Sequence, residues 1–156
     1  MIVLEIPGRD SITLGHLVLD VNGTIALDGH LIEGVSERIN ALKDLLEIHL
    51  ITADTHGAQA EIDRELHIKS IRVKPGTEAD QKKNYVAQLG SDEVVCIGNG
   101  ANDAQMLQIA AIGIAVLGGE GLNKGAATAA DLICANIIDA LDLLKYPRRL
   151  IATLRT

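Results

Sequence analysis

His16-Leu-Val-Leu-Asp20-Val-Asn-Gly-Thr24 decides how the rest of this 156-residue chain is read. A short apolar run breaks off into a carboxylate, an amide, a glycine and a hydroxyl. Apolar runs of this length bounded by turn residues are strands covered on both faces. The same form recurs downstream. Ile48-His-Leu-Ile ends in Thr52-Ala53-Asp54, and Val94-Val-Cys-Ile ends in Gly98-Asn-Gly-Ala-Asn-Asp103. Strands are expected at 2–6, 12–14, 16–20, 48–52, 69–73, 93–97, 112–117 and 131–134. Helices are expected at 34–47, 57–66, 79–89, 101–110, 121–129 and 136–145. The helix at 34–47 sets Val35, Ile39, Leu42, Leu45 and Leu46 on one face. Strand–helix alternation of this kind gives an α/β fold with a doubly wound, mainly parallel sheet. The first 15 residues, with Pro7-Gly8-Arg9-Asp10 between two apolar runs, read as an N-terminal β-hairpin or edge strands.

One domain over residues 1–156 fits the length. Hydrophobic residues make up 47% and charged residues 22%, an ordinary globular balance. Aromatics are 1%, and the formal net charge is −7. A nucleic-acid partner needs a basic stripe or stacking rings, and this chain offers neither. The longest near-apolar run, Ile109 to Gly119, is too short to cross a bilayer, so no membrane partner is expected. Cys96 and Cys134 sit in apolar segments and read as buried thiols, which suits a reducing, cytoplasmic location.

In an open parallel sheet the ligand crevice lies beyond the carboxyl ends of the strands. Those ends supply Asp20, Asn22, Thr52, Asn99 and Asp103, and the helix at 79–89 adds Lys82 and Lys83. An aspartate can attack phosphorus, a lysine and a hard cation can neutralise phosphoryl oxygens, and backbone N–H groups at Val21 and Gly23 can cradle a phosphate. Each group also has a plainer use. Asp20 alone could cap a turn, Thr52 could be a strand-end hydroxyl, and Lys83 could be the clamp in place of Lys82. Asp54 reads as a cap for the helix at 57–66. The five histidines show no metal-ligand spacing, with His30 and His56 the ones nearest a crevice rim. Gly118-Gly-Glu-Gly-Leu-Asn-Lys124-Gly reads as a flexible turn into a helix, and Arg148, Arg149 and Arg155 as residues of a solvated terminal helix.

Asp20-Val-Asn-Gly-Thr24, Thr52, Lys82 and Gly98-Asn-Gly-Ala-Asn-Asp103 resemble, in order and spacing, the four motifs of the haloacid dehalogenase superfamily, from about residue 16 to 145. The stretch from Asp80 to Gly113-Ile-Ala is most similar to the phosphorylation domain of P-type ATPases. The resemblance implies a Mg²⁺-dependent phosphatase or phosphotransferase with a catalytic set of Asp20, Asn22, Thr52 and Lys82. It implies Asp20 as nucleophile, with metal ligands Asp20, the Asn22 backbone carbonyl, Asn99 and Asp103, the last either direct or behind the ligands. Phosphate contacts fall to Val21, Gly23, Thr52, Ala53 and Lys82. Two positions depart from the pattern. Asn22 replaces the usual acid/base Asp and cannot pass a proton, and Asn99 replaces a metal-binding Asp without its charge. A slow enzyme favouring acyl or aryl phosphates is therefore expected. The rival is a non-catalytic regulatory protein that binds phosphate or Mg²⁺. No cap domain fits between the motifs, and Leu27-Asp-Gly-His30 reads as a short flap. The open site implies a phosphorylated small molecule or a phosphoprotein as partner, or closure by a homo-oligomer. Capless oligomeric sugar-acid phosphatases of the superfamily begin similarly and are the nearest alternative enzyme.

Overall fold

The computed structural model describes residues 1–53 and 57–156. Strands β1 (Ile2–Leu4) and β2 (Ile12–Leu14) pair antiparallel as a separate hairpin, not as an edge of the main sheet. Then come β3 (His16–Asp20), the two-residue strands β4 (Ala26–Leu27) and β5 (His30–Leu31), and α1 (Val35–Leu42). β6 (Glu47–Thr52), α2 (Gln59–Leu66), β7 (Ile71–Arg72) and α3 (Glu78–Leu89) follow. β8 (Val94–Gly98), α4 (Ala104–Ile109), β9 (Ile112–Val116), α5 (Lys124–Ala129), β10 (Leu132–Cys134), α6 (Ile137–Lys145) and α7 (Pro147–Leu154) complete the chain.

The six-stranded sheet has the order β10-β9-β8-β3-β6-β7, with every pairing parallel. The chain winds outward from β3 through β6 to β7, then returns to the other side of β3 and winds through β8 to β10. The reversal lies between β3 and β8, where an open sheet leaves its crevice. Alternating side chains divide the core into two layers. Leu17, Leu19, Leu50, Val95 and Ile97 face α1, α2, α6, α7 and the hairpin. Val18, Ile51, Cys96 and Ala115 face α3, α4 and α5. Among the described residues no helix is long and apolar enough to cross a membrane.

Several element ends differ from the sequence expectation. The helix expected at 34–47 stops at Leu42, because Leu45 and Leu46 turn back on the Leu42 carbonyl and Glu47 N–H donates to Gly15 O at 2.9 Å. Glu47 is thus the first residue of β6, and Leu45 is 40% exposed while Leu46 is buried. The helix expected at 101–110 opens as a 3-10 turn over Ala101–Asp103 before α4. The flap is the β4–β5 hairpin. On α7, Leu150 and Leu154 are buried while Arg148 and Arg149 face solvent.

Candidate functional site

The carboxyl ends of β3, β6 and β8 open into a cleft of about 210 Å³ lined by Asp20, Asn22, Thr52, Ala53, Lys82, Asn99, Gly100, Asn102 and Glu120. At its floor three charges are buried together. Lys82 Nζ, on a side chain 1% exposed, donates at 2.7 Å to Asp20 Oδ1 and at 2.7 Å to Asp103 Oδ1. Lys83, next on α3, is exposed, so Lys82 is the lysine that reaches the floor of the cleft. α3 makes the reach because it packs Val86 into the core one turn below Lys82.

Asp103 is fully buried, and both its oxygens are engaged. Oδ2 accepts from Asn99 N–H at 3.0 Å and Gly100 N–H at 2.9 Å, while Oδ1 takes Lys82. Both oxygens of Asp103 are thus committed to partners within the chain. Gly98 makes room for it, since a Cβ there would lie 2.6 Å from Asp103 Cγ.

Asp20 is held less fully. Lys82 occupies Oδ1, and Thr24 Oγ1 lies 2.9 Å from Oδ2 and 3.0 Å from Asn99 Oδ1. One hydroxyl hydrogen cannot fully satisfy both acceptors. Burial, and then the charge of Asp103, raise the Asp20 pKa to about 7, while the Lys82 and Thr24 contacts pull it down only in part. A protonated Asp20 would donate to Thr24 and release the Thr24 hydroxyl to Asn99. For Lys82, burial works against the charge, but the coulombic pull of Asp20 and Asp103 outweighs it and the pKa is raised. When Asp20 is ionised, two anions and one cation leave this pocket one negative charge in excess.

Asn99 uses its amide at both ends. Oδ1 faces Thr24, and Nδ2 donates to Gly121 O at 3.2 Å. A carboxylate at this position would set a lone pair against that carbonyl, so the segment 118–123 is built for an amide. Asn99 O also accepts from Asn123 N–H at 2.8 Å, at the start of α5. This segment carries Glu120 over the cleft. Gly23 sits at φ +80, and a Cβ on it would collide with the Glu120 carboxylate and the Asn99 amide.

The structure thus brings Asp20, Asn22, Thr52, Ala53, Lys82, Asn99 and Asp103 together. Gly23 is a correction: its N–H donates to Ala26 O at 2.7 Å, so it is not free to cradle a phosphate. Asp54 and His56 lie outside the described residues. Glu120 and Asn102 line the cleft without having been singled out by sequence. Asn102 was visible inside the 98–103 motif, but Glu120 sits in a glycine-rich turn with no chemical signature of its own. Cys96 and Cys134 are both buried, and burial raises both thiol pKa values, that of Cys134 to about 11.

A second cluster lies at the other end of the same strands. His16 Nδ1 is 3.1 Å from His49 Nε2, and the Glu47 carboxylate closes the third side, 3.5 Å from His16 Nδ1 and 3.9 Å from His49 Nε2. Tyr85 Oη lies 2.8 Å from His49 Nδ1. Burial lowers the His49 pKa, Glu47 working against that shift and His16 with it. The histidines, whose sequence spacing shows nothing, are joined by the β3–β6 register, which sets His16 beside Glu47.

The sequence profile of the family described as haloacid dehalogenase-like hydrolase matches residues 80–136. An uncharacterized protein of Methanocaldococcus jannaschii is 37% identical over 92 residues, covering 56% of this chain and 99% of that protein. The cadmium, zinc and cobalt-transporting ATPase of Bacillus subtilis is 25% identical over 159 residues, covering 94% of this chain but 22% of the ATPase. Among solved structures, the cobalt-bound deoxy-D-mannose-octulosonate 8-phosphate phosphatase of Haemophilus influenzae superposes with a TM-score of 0.71 at 12% identity. That match covers 92% of this chain and 94% of the phosphatase, and it shows a shared fold.

Proposed function

The chain belongs to the haloacid dehalogenase-like hydrolases, and from that premise we propose that it is a Mg²⁺-dependent phosphohydrolase or phosphotransferase working through an aspartyl-phosphate on Asp20. The observation that carries this reading is the buried Lys82 bridge between Asp20 and Asp103 at the floor of a cleft. Sinking three charges there costs stability that an apolar packing would not, and such expense is concentrated where phosphoryl charge must be met.

The donor set fits a hard cation. Asp20, the Asn22 backbone carbonyl and Asn99 Oδ1 are oxygens, and the Asp20 and Asn99 oxygens compete for one Thr24 hydrogen, so at least one is available for another partner. Mg²⁺ held there would supply the positive charge that keeps Asp20 ionised beside a phosphate.

An Asp20 carboxylate oxygen attacks phosphorus, and the bond from phosphorus to the leaving oxygen breaks with its electron pair on the leaving group. The Lys82 ammonium and the Thr52 hydroxyl offset the negative charge on the phosphoryl oxygens. Asn22 cannot protonate the departing oxygen, which restricts the first step to groups that leave as stable anions. Water then attacks the phosphorus of phospho-Asp20, restoring the carboxylate and releasing inorganic phosphate. Its proton goes to Glu120, which with Asp20 supplies the carboxylates lining the cleft among the described residues.

A cleft of about 210 Å³ has room for a phosphoryl group and a few atoms of what carries it. The rest of a phosphorylated small molecule must lie outside it, against the β4–β5 flap or a second copy of the chain. The sugar-acid phosphatase reading gains weight from the Haemophilus phosphatase, which this chain covers almost end to end.

The test is to mix protein, Mg²⁺ and acetyl phosphate, quench in acid, and compare intact mass with Asp20→Asn. A phosphoryl adduct on the native protein alone is expected, and Asn22→Asp should speed its decay by about 10²-fold or more, the usual worth of a positioned acid/base. No adduct and no released phosphate would favour the non-catalytic binding protein.

A further inference from the structure

The geometry points to a second metal site, distinct from the phosphoryl cleft, in which His16 Nδ1, His49 Nε2 and the Glu47 carboxylate hold a Zn²⁺-type divalent transition ion at the amino ends of β3 and β6. The three ligand atoms lie within 4.8 Å of one another. The two nitrogens are 3.1 Å apart, His16 Nδ1 is 3.5 Å from Glu47 Oε2 and His49 Nε2 is 3.9 Å from Glu47 Oε1, so each nitrogen meets its own carboxylate oxygen at close to the edge of a tetrahedron with bonds of about 2.0–2.2 Å, which is about 3.4 Å. The two rings can hydrogen-bond to each other, one nitrogen donating and the other accepting, but the carboxylate is at or beyond the limit of a hydrogen bond to either ring. An ion in the middle uses both lone pairs and the carboxylate charge together.

Surrounding groups suit the assignment. Tyr85 Oη lies 2.8 Å from His49 Nδ1 and can accept its N–H, fixing the tautomer that turns the Nε2 lone pair inward. His49 is buried among the residues under α3, His16 is partly exposed, and the Glu47 side chain is 68% exposed, so an ion has an entry path from solvent. Two imidazoles and one carboxylate select Zn²⁺, Co²⁺ or a similar ion over Mg²⁺, and they leave one coordination position to water. The site stands about 13 Å from Asp20, four residues along β3. α3 touches both, through Lys82 at one end and Tyr85 one turn on.

Chelator-treated protein in excess Mg²⁺ would be titrated with Zn²⁺ by calorimetry, and with Co²⁺ while its visible d–d bands are followed. One equivalent of Zn²⁺ should bind and raise the melting temperature, with equal affinity in Asp20→Asn. Glu47→Gln, a change on an exposed side chain, should weaken it at least 10-fold and abolish the tetrahedral Co²⁺ bands. Tyr85→Phe should weaken it by about 10-fold, the low end for an outer-shell partner. Zn²⁺ that fails to bind, that binds Glu47→Gln as tightly as the native protein, or that is lost with Asp20→Asn would each overturn the assignment.

Discussion

The two ends of the β3–β6 strand pair carry opposite kinds of chemistry, and one helix serves both. At the carboxyl end, Asp20 meets Lys82 and Asp103 as buried ions. At the amino end, His16, His49 and Glu47 meet as two imidazoles under a solvent-facing carboxylate. The first cluster needs its cation built into the chain, because two carboxylates cannot stay ionised together in a dry site. The second can take its cation from solution. Lys82 and Tyr85, one turn apart on α3, are the contacts that make the difference.

Removing each of those contacts separates the two ends most sharply. Lys82→Met leaves Asp20 and Asp103 facing each other without a counter-charge. Stability at pH 7 should fall by about 3–5 kcal/mol in urea titrations, with phosphatase activity reduced to background. Tyr85→Phe removes a half-buried hydroxyl from a neutral ring and should leave phosphate release within about twofold of native. Equal losses in the two variants would show that α3 acts as a packing element and that the charges do not matter.

The two ends should also answer pH in opposite directions. Asp20 has a folded pKa above its unfolded value of 3.8, so from about pH 4 to 7 the native state binds a proton that the unfolded chain has lost. Stability from this group is complete below pH 4 and is lost as pH rises through 7. His49 has a folded pKa below its unfolded value of 6.5. Its contribution is present above pH 6.5 and is lost as pH falls through the folded value. In Mg²⁺-free buffer, Asp20→Asn should cancel the decline between about pH 4 and 7 and raise stability at pH 8 by a few kcal/mol. His49→Gln should flatten the acid limb instead. A thermal-melt series in which both variants keep the native profile would sink both assignments.

The carboxyl end was legible because its residues are contiguous. Asp20 to Thr24 and Gly98 to Asp103 each continue a strand into a turn, so spacing along the chain equals placement in space. Spacing to Val86 favours Lys82 over Lys83, but the sequence leaves the choice open, because either neighbour could face the sheet until the packing of Val86 fixes which one does. The amino-end cluster was invisible for a different reason: it depends on His16 lying beside Glu47 across two strands, a register set by the whole sheet. Helical spacing misled at Leu45 and Glu47. Their periodicity continues that of α1, but Glu47 N–H gains a partner in Gly15 O by joining β6.

Each end also carries an exposed glutamate. Glu120 lies over Gly23 and Asn99 in the cleft. As the acceptor of the water proton it should matter only in the second half-reaction. Glu120→Gln should slow decay of the acid-stable adduct by about 10-fold or more and leave its formation within about twofold. Slowing of formation instead would mean that Glu120 orients the substrate.

Glu47 is the counterpart at the amino end, and without an ion it should count for almost nothing. Its distances to His16 and His49 are long, and water competes for an exposed carboxylate. Metal-free Glu47→Gln should therefore match the native protein within about 0.5 kcal/mol in urea titration. The same substitution in the presence of Zn²⁺ should remove the whole metal-dependent gain in melting temperature. That contrast, negligible without the ion and complete with it, is what a ligand produces and a surface ion pair does not. A comparable loss in both conditions would return Glu47 to the role of an ordinary strand-end charge.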